Sequence, residues 1–434
     1  MPVLVGIGDD FTGASDQAGM LARAGVRSVL VFDPAFPVVA EDWDAVTYAS
    51  RLRSVAVPPA RRMARALFAL ARDLRPHMVQ YKYCSTFDST PRGNIGPVLD
   101  VATDACQAPG TVVVPALPVN GRTTCHGYHF VLGTPLHESP MKDHPLNPMT
   151  DSNLVRWLSL QTKRRVGLVS YETVQRGPRA IRDALEALWS GEQPYAVLDC
   201  LSRRHARAIA RAIWDLPLIS GSSALPLELP AVWREQGLLG PPLKAPAPAA
   251  HRRRQRQPVL ALSGSCAAQT LKQVTAAADF ALIRPDLEGL LERGTGQVAD
   301  RVAEAVRAAF RDHDRVLVAT SMTPPERAAF QARASASGLD AHQLGLQIED
   351  VLGRLAVWAV VETGLRHLLV AGGETSGAVC AALGLRAVEI VREIALGVPL
   401  CRALPERELV VGLKSGNFGQ EDFFVRAARM ATRY

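Results

Sequence analysis

Short apolar runs, each closed by a polar or glycine-rich turn and followed by a helical segment, recur along most of the chain. This rhythm restricts it to a parallel α/β architecture, because parallel strands need a long crossover between them. Residues 1–8 read as a buried strand, Asp9-Asp10 and Thr12-Gly13 as a turn, and 16–24 as a helix closed by Gly25. A second strand follows over 28–32. The pattern predicts further strands over 45–48, 78–84, 111–116, 166–170, 195–199 and 217–220, with helices near 59–74, 95–106, 178–190 and 203–214. It breaks over 237–257, where Gly, Pro and the run His251-Arg252-Arg253-Arg254 predict an exposed linker. It resumes with strands at 259–262, 281–284, 315–320 and 366–371 and a long helix near 349–363. The expected fold is two three-layer α/β domains with mainly parallel sheets, over 1–236 and 258–434, with the active site in the cleft between them.

A chain of 434 residues suits two cores rather than one. Its 48% hydrophobic and 21% charged residues fit a globular protein, not a disordered one. No apolar run reaches the roughly 18–20 residues of a membrane helix, and the basic start of a secretory leader is missing. No membrane partner is therefore expected. Seven scattered cysteines without a CxxC pair point to reduced thiols in a cytoplasm. The net charge of +7 favours anionic ligands. The arginine run reads as a solvated hinge, so no nucleic acid is expected.

Three turns of the second half share one chemistry. Gly372-Gly373-Glu374-Thr375-Ser376-Gly377 joins a buried strand to a helix start. Free N–H groups and the helix dipole at such a junction bind anions, and glycines let phosphate oxygens come close. The same residues also suit an ordinary capped turn. Ser263-Gly264-Ser265 and Lys414-Ser415-Gly416 repeat the arrangement. Three such turns fit a ligand crevice at the carboxyl edge of an open sheet. Neither the Walker A nor the dinucleotide fingerprint occurs. Lys414 reads equally as a phosphate contact or a solvated side chain.

The first half offers carboxylates. Asp9-Asp10 ends the first strand and can bind hydroxyls, hold Mg²⁺, act as a base or cap a helix. The strip from Tyr81 to Asn94 is densely polar, and Arg51 and Arg53 suit an acidic substrate. Cys125, His126, His129, His137 and His144 suggest zinc by density, but their spacings fit no common closed site, and the prolines around them predict a loop.

Taken together, the motifs resemble the four-carbon acid sugar kinase family. They are Asp9-Asp10-Phe11-Thr12-Gly13-Ala14-Ser15-Asp16, Asp88-Ser89-Thr90-Pro91-Arg92-Gly93-Asn94, Gly372 to Gly377, and Lys414 to Gly419, in order along nearly the whole chain. The segments from Tyr81 to Val98 and from Pro118 to Asn153 look most like the 3-oxo-tetronate kinase branch. Many relatives carry a lysine pair before the Asp-Ser-Thr motif; this chain has Ser85 and Thr86, with Lys82 upstream.

The resemblance implies that 1–236 binds a four-carbon sugar acid and 258–434 binds ATP with Mg²⁺, whose ligands the sequence leaves unnamed. The implied reaction moves the γ-phosphoryl group to the C4 hydroxyl, with Asp10 and Asp9 catalytic. Arg51, Lys82, Ser89, Thr90, Arg92 and Gly93 are then expected at the substrate. Ser263, Ser265, Gly372, Gly373, Glu374, Thr375, Ser376 and Gly416 are expected at the nucleotide. A homodimer is one state open to such a protein. Two other readings stay open: a kinase for D-threonate, D-erythronate or a branched oxo-acid, and a non-catalytic metabolite sensor.

Overall fold

The apolar runs do form strands, and the chain divides into two compact units, Met1–Lys244 and Ala245–Tyr434. This computed structural model describes residues 1–143, 147–243, 256–395, 397–405, 408–414 and 416–434. Most of the expected linker, with its arginine run, therefore lies outside the described residues, as do His144 and Ser415.

In the N-terminal unit the strands are β1 (Leu4–Gly8), β2 (Ser28–Val31), β3 (Ala45–Ala49), β4 (Met78–Lys82), β5 (Thr111–Val114), β6 (Arg122–Cys125), β7 (Tyr128–Val131), β8 (Thr134–Pro135), β9 (Val166–Val169), β10 (Tyr195–Leu198) and β11 (Leu218–Gly221). Eight of them pair in parallel in the order β2-β3-β1-β4-β11-β5-β10-β9. β1, β3 and β4 are buried at every residue, as parallel strands are when helices cover both faces. From β1 the chain builds β2 and β3 on one side and then crosses to β4 on the other. That reversal opens a crevice at the carboxyl ends of β1 and β4, where ligands of such sheets bind.

The stretch expected as a proline-bound loop instead begins with a small antiparallel sheet, β6-β7-β8. Both of its hairpins have two-residue turns, His126-Gly127 and Leu132-Gly133, with positive φ at both positions. Such turns match the twist of paired strands. Asp199 anchors the first of them, accepting from the N–H groups of His126 (2.6 Å) and Gly127 (2.9 Å).

In the C-terminal unit the strands are β12 (Val259–Ser263), β13 (Ala281–Ile283), β14 (Arg315–Ala319), β15 (His367–Ala371), β16 (Ala387–Ala395), β17 (Val398–Leu404) and β18 (Val410–Lys414). Their order is β13-β14-β12-β15-β18-β17-β16. The first five are parallel; β17 and β16 run antiparallel beside them. Here the chain goes from β12 to β13 and β14 on one side, then to β15 on the other, so the crevice lies between the ends of β12 and β15. Helices Ala268–Ala276 and Phe423–Ala431 pack Val274, Phe423, Phe424 and Ala427 against Val259, Ala261, Leu369 and Val410. The long helix runs over Ala341–Val357, earlier than expected, because Asp340 and Gln343 form a capping box at its start.

Candidate active site

Asp9 and Asp10 follow β1 at the reversal of the N-terminal sheet. Asp10 caps the helix Phe11–Arg23, its carboxylate accepting from Gly13 N–H at 2.6 Å. Asp9 is 1% exposed and takes the guanidinium fork of Arg53, Nε at 2.9 Å and Nη2 at 2.7 Å. The remaining Arg53 nitrogen, Nη1, lies 2.7 Å from Asp10 and 3.5 Å from Asp88. Arg53 points inward because its loop is pinned twice. Its own N–H donates to the Asp9 carbonyl (3.0 Å), and Asn94 Nδ2 donates to the carbonyls of Leu52 and Val55, both at 2.6 Å. Burial opposes the charge on Arg53, yet the two neighbouring carboxylates hold it protonated. Burial likewise pushes the Asp9 carboxyl up, and the Arg53 fork pulls it back toward the ionised form.

Lys82, at the end of β4, is buried with Nζ 3.1 Å from the Tyr83 carbonyl and 3.8 Å from Asp16. Ser223 donates to the same Asp16 oxygen, while the other, buried, has no partner among the described residues. Burial raises the Asp16 carboxyl, and Lys82 and Ser223 counter it. Four carboxylates thus face two cations. Asp10 is the exposed one, at 31% of its side chain; Asp9, Asp16 and Asp88 stay at or below 10%.

Along the polar strip, Ser89 is buried: its carbonyl accepts from Trp157 Nε1 (3.0 Å) and its hydroxyl from Gln161 Nε2 (3.0 Å). The Thr90 carbonyl accepts from Gln161 (2.8 Å) and from Gly93 N–H (2.9 Å), which closes the turn. Arg51 and Arg92 are exposed and make no ion pair among the described residues. His129 is buried between Thr124 Oγ1 (2.9 Å) and the Ser85 carbonyl (2.8 Å), and burial lowers it to about 4. It is a neutral tie between hairpin and strip. Among the described residues no three His, Cys, Asp or Glu side chains converge on a metal position.

In the C-terminal unit, strand register levels the carboxyl ends of four parallel strands, with Ser263 opposite Ala319 and Ala371, and Ala371 opposite Lys414. Gly264 N–H donates to the Ala371 carbonyl (3.0 Å) and Gly372 N–H to the Lys414 carbonyl (2.7 Å). The three turns therefore meet. At Gly372, φ is +135°, and a Cβ there would stand 2.6 Å from Thr375 Oγ1 and 3.4 Å from Ser265 N. A Cβ at Gly416 would stand 2.6 Å from Ser265 Oγ. The helix Gly373–Ala382 has no side-chain cap, which leaves its first N–H groups, those of Gly373, Glu374 and Thr375, without an acceptor inside the helix. Thr375 and Ser376 are buried, Ser376 Oγ without a partner among the described residues; Glu374 is exposed.

Two features of this unit escaped the sequence reading. Thr320 and Ser321 supply a fourth polar strand end: Thr320 donates to the Ser263 carbonyl (N–H 2.9 Å, hydroxyl 3.2 Å), and Ser321 Oγ lies 3.0 Å from Ser263 Oγ. The signal was a polar pair directly after an apolar strand. Lys414, read as a phosphate contact or a solvated side chain, is 1% exposed. Its Nζ donates to Thr270 Oγ1 (3.0 Å) and the Gly416 carbonyl (2.9 Å) and lies over the Phe423 ring.

Comparison with known proteins agrees with this division. Residues 4–229 match the family of sugar-binding N-terminal domains, and residues 260–424 that of nucleotide-binding C-terminal domains. The chain is 40% identical over 431 residues to the 3-oxo-tetronate kinase of Brucella melitensis biotype 1, covering 98% of this chain and 95% of the relative. It is 38% identical over 438 residues to the 3-oxo-tetronate kinase of Cupriavidus necator, covering 99% and 97%. A crystal structure of a protein from Salmonella typhimurium LT2 superposes with a TM-score of 0.87 at 35% identity over 98% of this chain and 99% of that one.

Proposed function

The chain belongs to the four-carbon acid sugar kinase family, and from that premise we propose that it is an ATP-dependent 3-oxo-tetronate kinase that phosphorylates the C4 hydroxyl. The observation that carries the reading is Asp10. It is the exposed member of a carboxylate cluster, and it is fixed by Gly13 N–H and Arg53. Its Oδ1 accepts from Gly13 N–H and its Oδ2 stands 2.7 Å from Arg53 Nη1, and a carboxylate oxygen has lone pairs for more than one partner. In the proposed step Asp10 takes the proton of the C4 hydroxyl while that oxygen attacks the γ-phosphorus. The bond from the γ-phosphorus to the β–γ bridging oxygen breaks, and ADP leaves. Asp9 holds Arg53, and Arg53 holds Asp10 in place.

The other roles follow the same division. Arg51 and Arg92, exposed and without ion-pair partners among the described residues, are available to the substrate carboxylate. Lys82 adds positive charge to the carboxylate cluster, and Ser89, Thr90 and Gly93 keep the strip in shape. Ser263, Ser265, Gly372, Gly373, Thr375, Ser376 and Gly416 would surround the phosphates, with the free N–H groups of the helix start as donors. Mg²⁺ would neutralise phosphate charge. The chain offers no closed cage for it among the described residues, which fits an ion held by phosphates and water with Glu374, the single acidic side chain of the three turns, alongside. The seven free cysteines fit a cytoplasmic enzyme.

Asp10→Asn tests the reading. It keeps the cap and removes the base. We expect kcat to fall about 10²–10⁴-fold, the usual worth of a general base, with the KM for ATP unchanged. Turnover within a few-fold of wild type would remove Asp10 from the proton transfer.

A further inference from the structure

The phosphate turns leave the rest of a nucleotide unaccounted for. A cavity of about 170 Å³ lies in the C-terminal unit beyond β13, on the side of the sheet reached from β12 through β14. One wall is the chain that leaves β13, Ile283 to Asp286. The other is the helix Glu288–Asp312, which breaks at Gly294 (φ 76°). Beyond the break, Val298, Arg301, Val302 and Ala305 fall on one face and line the cavity. Whole-ligand pockets begin near 300 Å³, so this one has room for a single ring system. Its walls are chiefly Ile283, Pro285, Val298, Val302 and Ala305. Arg284, Arg293 and Arg301 also line it, with Asp286, which pairs with Arg293 at 3.1 Å. Apolar walls with guanidinium groups suit a planar aromatic ring, on which guanidinium stacks.

The cavity is joined to the phosphate turns. Arg284 Nη1 donates to the Ser321 carbonyl at 3.0 Å, and Ser321 Oγ meets Ser263 Oγ at 3.0 Å. Neighbouring strands lie about 4.8 Å apart, so β13 is roughly 10 Å from β12 and roughly 14 Å from β15. A ribose and a phosphate chain laid along the carboxyl edge cover that interval. We propose that the purine base of the nucleotide lodges in this cavity, with its phosphates over the ends of β12 and β15. The inference rests on the nucleotide reading given above.

The test uses the full chain with Mg²⁺ and compares ATP with inorganic tripolyphosphate by calorimetry. Ala305→Trp fills the cavity from a half-exposed position, and Arg301→Ala removes an exposed lining guanidinium. Ala305→Trp is expected to weaken ATP by about ten-fold or more, equivalent to one lost ring contact of roughly 1.4 kcal/mol. Arg301→Ala is expected to weaken it several-fold, and both should leave tripolyphosphate affinity as in wild type. If both variants bind ATP as wild type does, the base sits elsewhere while the nucleotide reading stands. Loss of both ligands in Ala305→Trp with no effect of Arg301→Ala would overturn the proposal as well. A wild-type chain that binds neither ligand would remove the nucleotide reading and this proposal with it.

Discussion

Arg53 decides how the first half-site is built. A buried carboxylate without a partner is costly, and the Arg53 fork gives Asp9 two charge-assisted bonds while steadying Asp10. Arg53→Met should therefore cost about 3–5 kcal/mol in urea unfolding, the usual range for a broken buried pair. The loss should be smaller in acid. Without Arg53, burial raises the folded-state pKa of Asp9 above its unfolded value, so the variant binds the extra proton when folded and loses stability as pH rises through that pKa. A penalty that does not change between acid and neutral pH would contradict this. Both Arg51 and Arg53 were legible as arginines after a strand. Which of them turns inward was not, because it is set by Asn94, some forty residues away, through its bonds to the Leu52 and Val55 carbonyls.

The elements that were easiest to read are the strand ends of the second unit. An apolar run that stops at glycine marks both the end of a parallel strand and a place where backbone N–H groups are free. Thr320-Ser321 lacks the glycine that marks the other three polar strand ends. The hairpins β6-β7-β8 escaped because the prolines around them predicted a loop for the whole stretch. β16 and β17 lie outside the strand–helix rhythm, since a hairpin needs no crossover helix. Lys414 shows what element position does to a side chain. As the last residue of a fully buried strand it cannot reach solvent, and burial lowers its amine to about 7. It holds the Gly416 turn against Thr270. Its folded pKa lies below the unfolded value near 10.4, so the unfolded chain binds the extra proton between these values and stability rises with pH across that window. Wild type should thus gain stability relative to Lys414→Met between about pH 7 and pH 10 in paired urea titrations. A constant difference would show that Lys414 keeps its proton inside the fold.

Over the whole molecule, the chain repeats one solution. Each unit has a mainly parallel sheet in which the chain crosses from one side of its first strand to the other, and each gathers polar groups at that crossing: carboxylates after β1 in the first, glycine- and hydroxyl-rich turns after β12 and β15 in the second. The sequence disclosed the two units through its break in rhythm. It disclosed the division of labour through residue type, with acids and arginines in one half and glycines and hydroxyls in the other. It could not disclose the reversals, because strand order is fixed by packing between segments far apart in the chain. The excess of positive charge suits a protein whose proposed ligands, a sugar acid and a nucleotide, are both anions. The most direct measurement is the wild-type chain incubated with ATP, Mg²⁺ and 3-oxo-tetronate, with ADP and the organic phosphate followed together by phosphorus NMR. The account predicts one ADP for each 4-phosphate ester formed. No ester, with ATP cleaved no faster than when the sugar acid is left out, would contradict it.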